Sequence, residues 1–303
     1  GFPLFLAGIY RIFGHNFLAA KIGLAVLSAL SCIILFLLAS EILNNKRIGF
    51  WCALIYAVYP PSIFWTGYLA PETLTTFLLT CSVFLTYISI KKNNFLLYFF
   101  IGFLWGFLIL TRPNFLMVVP FLFLFVLFYK IKFKNLLIIT FGLCIPLSIW
   151  CIRNYKIHHK FVLISTEGGI VFYIANNEYA VNQPSGFYHA ENIDEIKGLS
   201  EVEIDRKFYK DTISFIKRNP KLYLQLVIDR FLRFWRFFPH TFSGPGESYK
   251  FYHQIISFLT ECPIIIFGFL GFLFSFKNWK KFFLIDIVII IFSIVNILVR
   301  TTI

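Results

Sequence analysis

The sequence predicts an all-α polytopic membrane protein. About eight transmembrane helices are visible, with a small extracytoplasmic domain of mixed α/β or irregular structure. Composition is the first observation: 58% of the 303 residues are hydrophobic, 20% are aromatic and only 14% are charged, where a soluble domain carries about a quarter charged residues. The second is that apolar runs of about the length a helix needs to cross a bilayer recur along most of the chain. These runs are apolar on every face, whereas a transmembrane β-barrel alternates apolar and polar residues within each strand. The third is the placement of charge. The net charge is +13, but many of the cations sit in short clusters between apolar runs, which is the pattern that orients membrane proteins and not one that binds nucleic acid.

The elements follow in order. Gly1 to Phe13 is too short to span and is closed by Arg11, His15 and Asn16, so it reads as a helix lying along the interface. Phe17 to Leu43 is the first span. Asn44-Asn45-Lys46-Arg47 leads into the second, Ile48 to about Trp65. Tyr59 to Thr73, YPPSIFWTGYLAPET, holds three prolines, two tyrosines, a tryptophan and one carboxylate, with no Lys or Arg. It reads as a loop on the outer face, at the mouth of a site. The third span is Thr73 to Ile90, the fourth Phe95 to Leu110, the fifth Phe115 to Tyr129 and the sixth Asn135 to Cys151. Residues 152–250 are polar with mixed charge and read as the solvent-facing domain. A C-terminal pair of spans, Phe251 to Phe276 and Phe282 to Val299, completes residues 251–303, while residues 1–151 form an N-terminal transmembrane catalytic module.

Charge orients this layout. The loops at 44–47, 91–94, 130–134 and 277–281 hold ten Lys or Arg between them, whereas those at 59–72 and 111–114 hold only Arg112. By the positive-inside rule the first set is cytoplasmic, so the second set and the polar domain share the outer face. Within that domain Ser200-Glu201-Val202-Glu203 is a capping box that starts a helix through about Lys217. Asn219-Pro220 starts another, Lys221 to Phe238, with Arg230, Arg233 and Arg236 set near lipid phosphates at the interface. Phe161 to Ser165 and Ile170 to Tyr173 are candidate short strands. Cys32, Cys52, Cys81, Cys144, Cys151 and Cys262 lie in or at the ends of apolar runs with no CxxC pair, and read as buried, unpaired thiols.

Polar groups at span ends mark a site by default. Here they are Tyr59, Trp65, Tyr68 and Glu72, then Arg112 and Asn114, then Arg153 and Asn154 where the sixth span exits. Glu72 suits a base, a metal ligand or a sugar-binding carboxylate, and equally a helix N-terminal acid beside Pro71. Arg112 suits a phosphate, or snorkels to the interface. Asn176-Asn177-Glu178 suits a sugar or a turn. Thr166-Glu167-Gly168-Gly169 lacks the spacing and the Lys of a nucleotide loop and reads as a turn. The adjacent His158 and His159 diverge and have no second ligand pair, so a metal there is not expected. Glu41 is expected near Lys46, and Asp286 is an intramembrane acid with no evident partner.

These stretches together resemble the polytopic GT-C class of glycosyltransferases that use lipid-linked sugars. The nearest group is the bacterial family-39-like transferases, related to the protein O-mannosyltransferases and the aminoarabinose transferases of lipid A. GFPLFLAGIYRIFG resembles the family's juxtamembrane segment. NNKRIGFWCALIYAVYPPSIFWTGYLAPETL resembles the region ending in an outer acidic residue, the position held by Glu72. GFLWGFLILTRPNFLMVVP resembles the "L-T-R-P" stretch and carries Arg112. IPLSIWCIRNYKIHHKFVLISTEGGIVFYIANN resembles the exit through "R-N-Y" to "N-N". The likeness runs to about Asn177 and more loosely over Ser200 to Phe238. It implies transfer of one sugar from a polyprenyl-phosphate carrier to a glycan, lipid or protein acceptor at the outer face of a bacterial inner membrane, with inversion and general-base catalysis. Arg112 and Arg153 are implied to hold the phosphate, and Glu72 to line the site. Asn154, Tyr68, Asn114, Asn176 and Asn177 are candidate substrate contacts, and a divalent metal is left open. The family's main catalytic acid lies after an earlier span, which is expected upstream of Gly1, both ends of the chain reading as truncated. The rival readings are a transporter, which places helix breaks and polar groups near mid-membrane, and a non-catalytic subunit that binds or assembles lipid-linked glycans.

Overall fold

The computed structural model describes residues 1–181, 196–237 and 251–299. Among them every regular element is helical, so the expected strands at 161–165 and 170–173 are not formed. The chain divides into two compact units, Gly1–Ile149 with Phe274–Val288 and Trp150–Leu273 with Ile289–Ile303.

In the first unit, α1 (Phe2–Phe13) packs on α2 (Phe17–Leu43), which also packs against α3 (Lys46–Val58) and α5 (Pro71–Lys91). Asn16 starts α2 by accepting from the amides of Leu18 and Ala19. Asn44 ends it in the left-handed conformation at φ 51°. The Tyr59–Thr73 stretch is not a simple loop. Pro60 and Pro61 open a short helix, α4 (Pro60–Thr66), bent by 55° from α3, because proline fits the first helical turn and nowhere further in. Ser62 Oγ lies within hydrogen-bonding distance of two carbonyls left by α3, Tyr56 O at 2.9 Å and Tyr59 O at 2.8 Å.

The helices α5 and α6 (Phe95–Thr111) pack together, and α8 (Phe133–His158) lies tightly on α6. The tightness depends on glycine: a Cβ at Gly102 would stand 1.9 Å from the carbonyl oxygen of Ile139. Between α6 and α8 runs the 3-10 turn Pro113–Val118, then α7 (Val119–Phe128). Tyr87 donates to Lys281 O at 2.5 Å, tying α5 to the start of the last helix.

By length and composition four stretches can cross a membrane: Phe17–Leu43, Pro71–Lys91, Phe133–His158 and Gln254–Val299; the bent pair Lys46–Val58 with Pro60–Thr66 makes a fifth. The stretches expected as fourth and fifth spans form shorter apolar helices. The sixth runs on to His158, past the expected end at Cys151.

The second unit holds α9 (Gly168–Ala175), α10 (Glu201–Arg218), α11 (Pro220–Phe234), most of α12 (Phe251–Ser275) and the end of α13 (Trp279–Val299). The expected capping box forms: Ser200 N donates to Glu203 Oε2 at 2.9 Å. Lys160 and Ser200 hold the Glu203 carboxyl down to about 2. The glycines that open α9 serve a close approach, since a Cβ at Gly169 would lie 2.0 Å from Asp205 O on α10. Gly169 N donates to Asp205 Oδ1 at 2.6 Å, although burial still leaves that carboxyl raised. The second outer helix ends at Phe234, and Phe238 lies outside the described residues.

Several expectations are corrected. Glu41 pairs with Lys91 at 2.5 Å, not with Lys46, because α2 and α5 are neighbours. Asp286 has a partner: Ser275 Oγ lies 2.7 Å from Asp286 Oδ2. All six cysteines are free, as expected, but none is buried, and Cys144 is exposed on the helix surface. Arg230 does not reach for lipid; it is buried, with 3% of its surface exposed.

Candidate functional site

The centre of the first unit's polar end is made by two helix termini. Pro71 sets the first turn of α5 and puts Glu72 in it, where a carboxylate faces the positive end of the helix dipole. At the other terminus Pro113 disfavours helical geometry for the residue before it. Arg112 is therefore extended at φ −141°, ends α6, and its amide closes the last turn on Leu108 O at 2.8 Å. The two helices join through Lys92–Asn94, so the start of α5 and the end of α6 are side by side. Arg112 Nη2 donates to Glu72 Oε1.

This contact uses one atom from each partner. The second carboxylate oxygen, Glu72 Oε2, is buried without a hydrogen-bond partner among the described residues. The other guanidinium nitrogens of Arg112 make no hydrogen bond to a described residue. Both side chains remain reachable, at 32% exposure for Glu72 and 21% for Arg112. Such a pair offers cationic N–H donors and an anionic acceptor side by side.

Tyr68 lies four residues before Glu72, in the connection from α4 to α5. Its ring sits 4.6 Å from Phe64 and 6.2 Å from Trp65, and it is exposed. Asn114 is half-buried in the 3-10 turn after Arg112. The first unit thus brings Glu72 and Arg112 into contact, with Tyr68 and Asn114 close to them in sequence.

The second unit holds the remaining candidates. Arg153 and Asn154 lie within α8, which continues past them to His158. The Arg153 guanidinium stacks 4.8 Å over Trp150 and donates to Asn154 Oδ1 at 3.1 Å. Asn154 is buried, and its Nδ2 donates to Val162 O at 3.2 Å, clasping the chain after α8 against it, as Trp150 Nε1 does through Ile164 O at 2.7 Å. Asn176 and Asn177 are buried at the end of α9: Asn177 Oδ1 accepts from Ala180 N at 2.9 Å, and Asn176 Nδ2 donates to Phe172 O at 2.9 Å and to Leu298 O at 3.4 Å.

Arg230 is the group that sequence reasoning misplaced. Nε donates to Ile297 O at 2.7 Å, one Nη to Ala175 O, and the other to Asn176 Oδ1 at 2.8 Å. It thereby places a cation at the carbonyl ends of α9 and α13. Burial lowers the guanidinium to about 10. The available signal was its four-residue spacing from Leu226, which puts both on the buried face of α11. Among the described residues no group of three His, Cys, Asp or Glu side chains is placed to hold a metal ion.

Long apolar helices carrying a carboxylate–guanidinium contact at one end of an antiparallel pair define a helical membrane protein with a polar site. Residues 1–151 match the model of a family described as dolichyl-phosphate-mannose-protein mannosyltransferase. That segment contains Glu72, Arg112, Tyr68 and Asn114, and the match makes it similar to membrane glycosyltransferases of the GT-C type. The likeness drawn from residues 152–177 and 200–238 lies outside the matched segment. No curated protein and no solved structure matches the chain.

Proposed function

We propose that the protein moves one sugar from a polyprenyl-phosphate-linked donor to an acceptor hydroxyl of a glycan, lipid or protein at the outer face of the membrane. The carrying observation is the Glu72–Arg112 contact within the family-matched segment. A planar guanidinium with unused N–H groups suits a phosphodiester that becomes a phosphomonoester as it leaves. The acceptor oxygen forms a bond to the anomeric carbon while the bond from that carbon to the phosphate oxygen breaks, inverting the centre. The acceptor proton passes to a general base, and the polyprenyl phosphate departs with the electron pair. Arg112 stabilises the charge that builds on the phosphate, where a positioned cation is worth most. The charge pattern of the short loops supports the outer face, and the family match supports a lipid-linked donor.

The test uses the full-length protein in oriented membranes and follows loss of sugar from a panel of polyprenyl-phosphate glycosides. Turnover is expected in the wild type, with a fall of about 100-fold or more in Arg112→Ala. Folded protein that turns over no donor on the panel would overturn the reading and shift it to transport or lipid binding.

A further inference from the structure

The unsatisfied oxygen of Glu72 carries a further step. A buried carboxylate oxygen with no donor is costly, and more so than a neutral group. Thr76 does not relieve it, because its hydroxyl bonds the main-chain carbonyl of Glu72, at 3.0 Å. Arg112 reaches only Oε1. The missing donor is one that a ligand can bring.

We infer that Glu72 and Arg112 form one bipartite subsite for a glycosyl phosphate, in which Arg112 takes the phosphate and Glu72 Oε2 takes a hydroxyl of the sugar on that same phosphate. The inference rests on the transferase reading above and assigns Glu72 a part in it: a residue that reads the donor sugar, not the base that deprotonates the acceptor. Two observations favour the assignment. One oxygen of Glu72 is already engaged by Arg112, so the carboxylate is held in place instead of being free to swing toward an acceptor. The spare acceptor on Glu72 and the spare donors on Arg112 belong to side chains in direct contact. A bare phosphate satisfies the Arg112 half alone and a free sugar the Glu72 half alone; a glycosyl phosphate satisfies both. A site built to accept a hydroxyl also rejects analogues that lack it, because its own polar atom is then left unpaired.

The test is equilibrium binding to full-length protein in nanodiscs, with no acceptor present, of bare polyprenyl phosphate and of a panel of polyprenyl-phosphate glycosides. The wild type should hold the matched glycoside about 10- to 100-fold more tightly than the bare carrier. Glu72→Gln should bring the two within about 3-fold, since the amide turns its oxygen to Arg112 and leaves NH2, a donor, where Oε2 accepted. Arg112→Lys should weaken both carriers alike. If Glu72→Gln does not fold, deoxy-sugar glycosides tested on the wild type give the same reading, and one of them should lose the whole preference. Equal binding of bare and glycosylated carriers overturns the inference, as does a preference that survives Glu72→Gln or that emerges only with acceptor added. Turnover measured on the same preparation separates the two claims. Turnover without a sugar preference sinks this assignment and leaves the transferase reading standing; preference without turnover does the reverse.

Discussion

Replacing Arg230 with methionine tests whether the second unit is held by a buried cation. The substitution keeps the length and apolar stem of the side chain and removes the fork. Three acceptors then lose their donor: Ile297 O, Ala175 O and Asn176 Oδ1. At roughly 1–3 kcal/mol for each buried acceptor left unpaired, the gross loss is on the order of 3–9 kcal/mol. Asn176 has little freedom to compensate, because its Nδ2 is engaged by Phe172 O at 2.9 Å. Against this, the mutant no longer buries a charge. Burial lowers the guanidinium from its ordinary range to about 10, and at 1.36 kcal/mol per pH unit the relief is about 3 kcal/mol. The difference spans about 0–6 kcal/mol, and its centre is a local destabilisation of about 3 kcal/mol. Native-state hydrogen exchange of the full-length protein in bicelles reads it directly: amides at 173–177 and 294–299 should exchange on the order of 30- to 1,000-fold faster, with α2 and α5 unchanged. Arg233→Met is the control, since the Arg233 side chain makes no hydrogen bond to a described residue, and it should leave these amides within about 3-fold of wild type. Equal exchange in Arg230→Met and Arg233→Met would refute the reasoning, since the carbonyl ends of α9 and α13 would then not depend on the cation.

Other expectations concern packing, capping and pairing. Gly102→Ala should lower stability by about 1–3 kcal/mol in a reversible denaturant titration, because its Cβ would stand 1.9 Å from a backbone oxygen of α8. Ser40→Ala should be neutral or stabilising by up to about 1 kcal/mol in the same titration, because Ser40 Oγ is buried without a partner. Glu203 has its folded carboxyl lowered from 4.5 to about 2 by Lys160 and Ser200, so its contribution is present above pH 4.5 and is lost as pH falls toward 2. Hydrogen exchange at 201–206 should therefore rise across that window, and Glu203→Gln should remove most of the pH dependence. Lys91→Ala should cost under about 1 kcal/mol despite its short contact with Glu41, because the Lys91 side chain is 64% exposed.

The helical membrane class was legible because hydropathy is a property of single residues summed along the chain, and no partner is needed to read it. Capping was legible for a similar reason: the Ser200 to Glu203 box, the Pro220 start and the Asn16 cap act within one helical turn. What failed required knowing which helix lies beside which. Glu41 was assigned to the cation five residues away, but α2 packs on α5 and delivers Lys91, fifty residues on. By sequence Arg230 belongs near lipid phosphates at the interface, and only the carbonyl ends of α9 and α13 explain its burial. The expected strand Ile170 to Tyr173 is β-branched and aromatic in composition, yet it folds as α9. Its packing partner is α10, approached closely at Gly169, and no strand is present among the described residues to extend it.

The candidate site lies between these two cases, and that position explains why its residues were found while their relation was not. Pro71 and Pro113 are visible in the sequence, and each fixes where a helix begins or ends. Antiparallel packing of two helices joined by a short turn then brings the start of α5 beside the end of α6. From those facts alone Glu72 and Arg112 belong at one end of the pair. Their direct contact changes the chemistry assigned to each. As separate groups they read as a base and a phosphate clamp; as a single-contact pair they leave one acceptor oxygen and several N–H donors with no partner among the described residues. A molecule carrying a hydroxyl beside a phosphate would satisfy both, and so the unpaired oxygen, more than the charge of either residue, is the feature on which the proposed glycosylated lipid carrier rests.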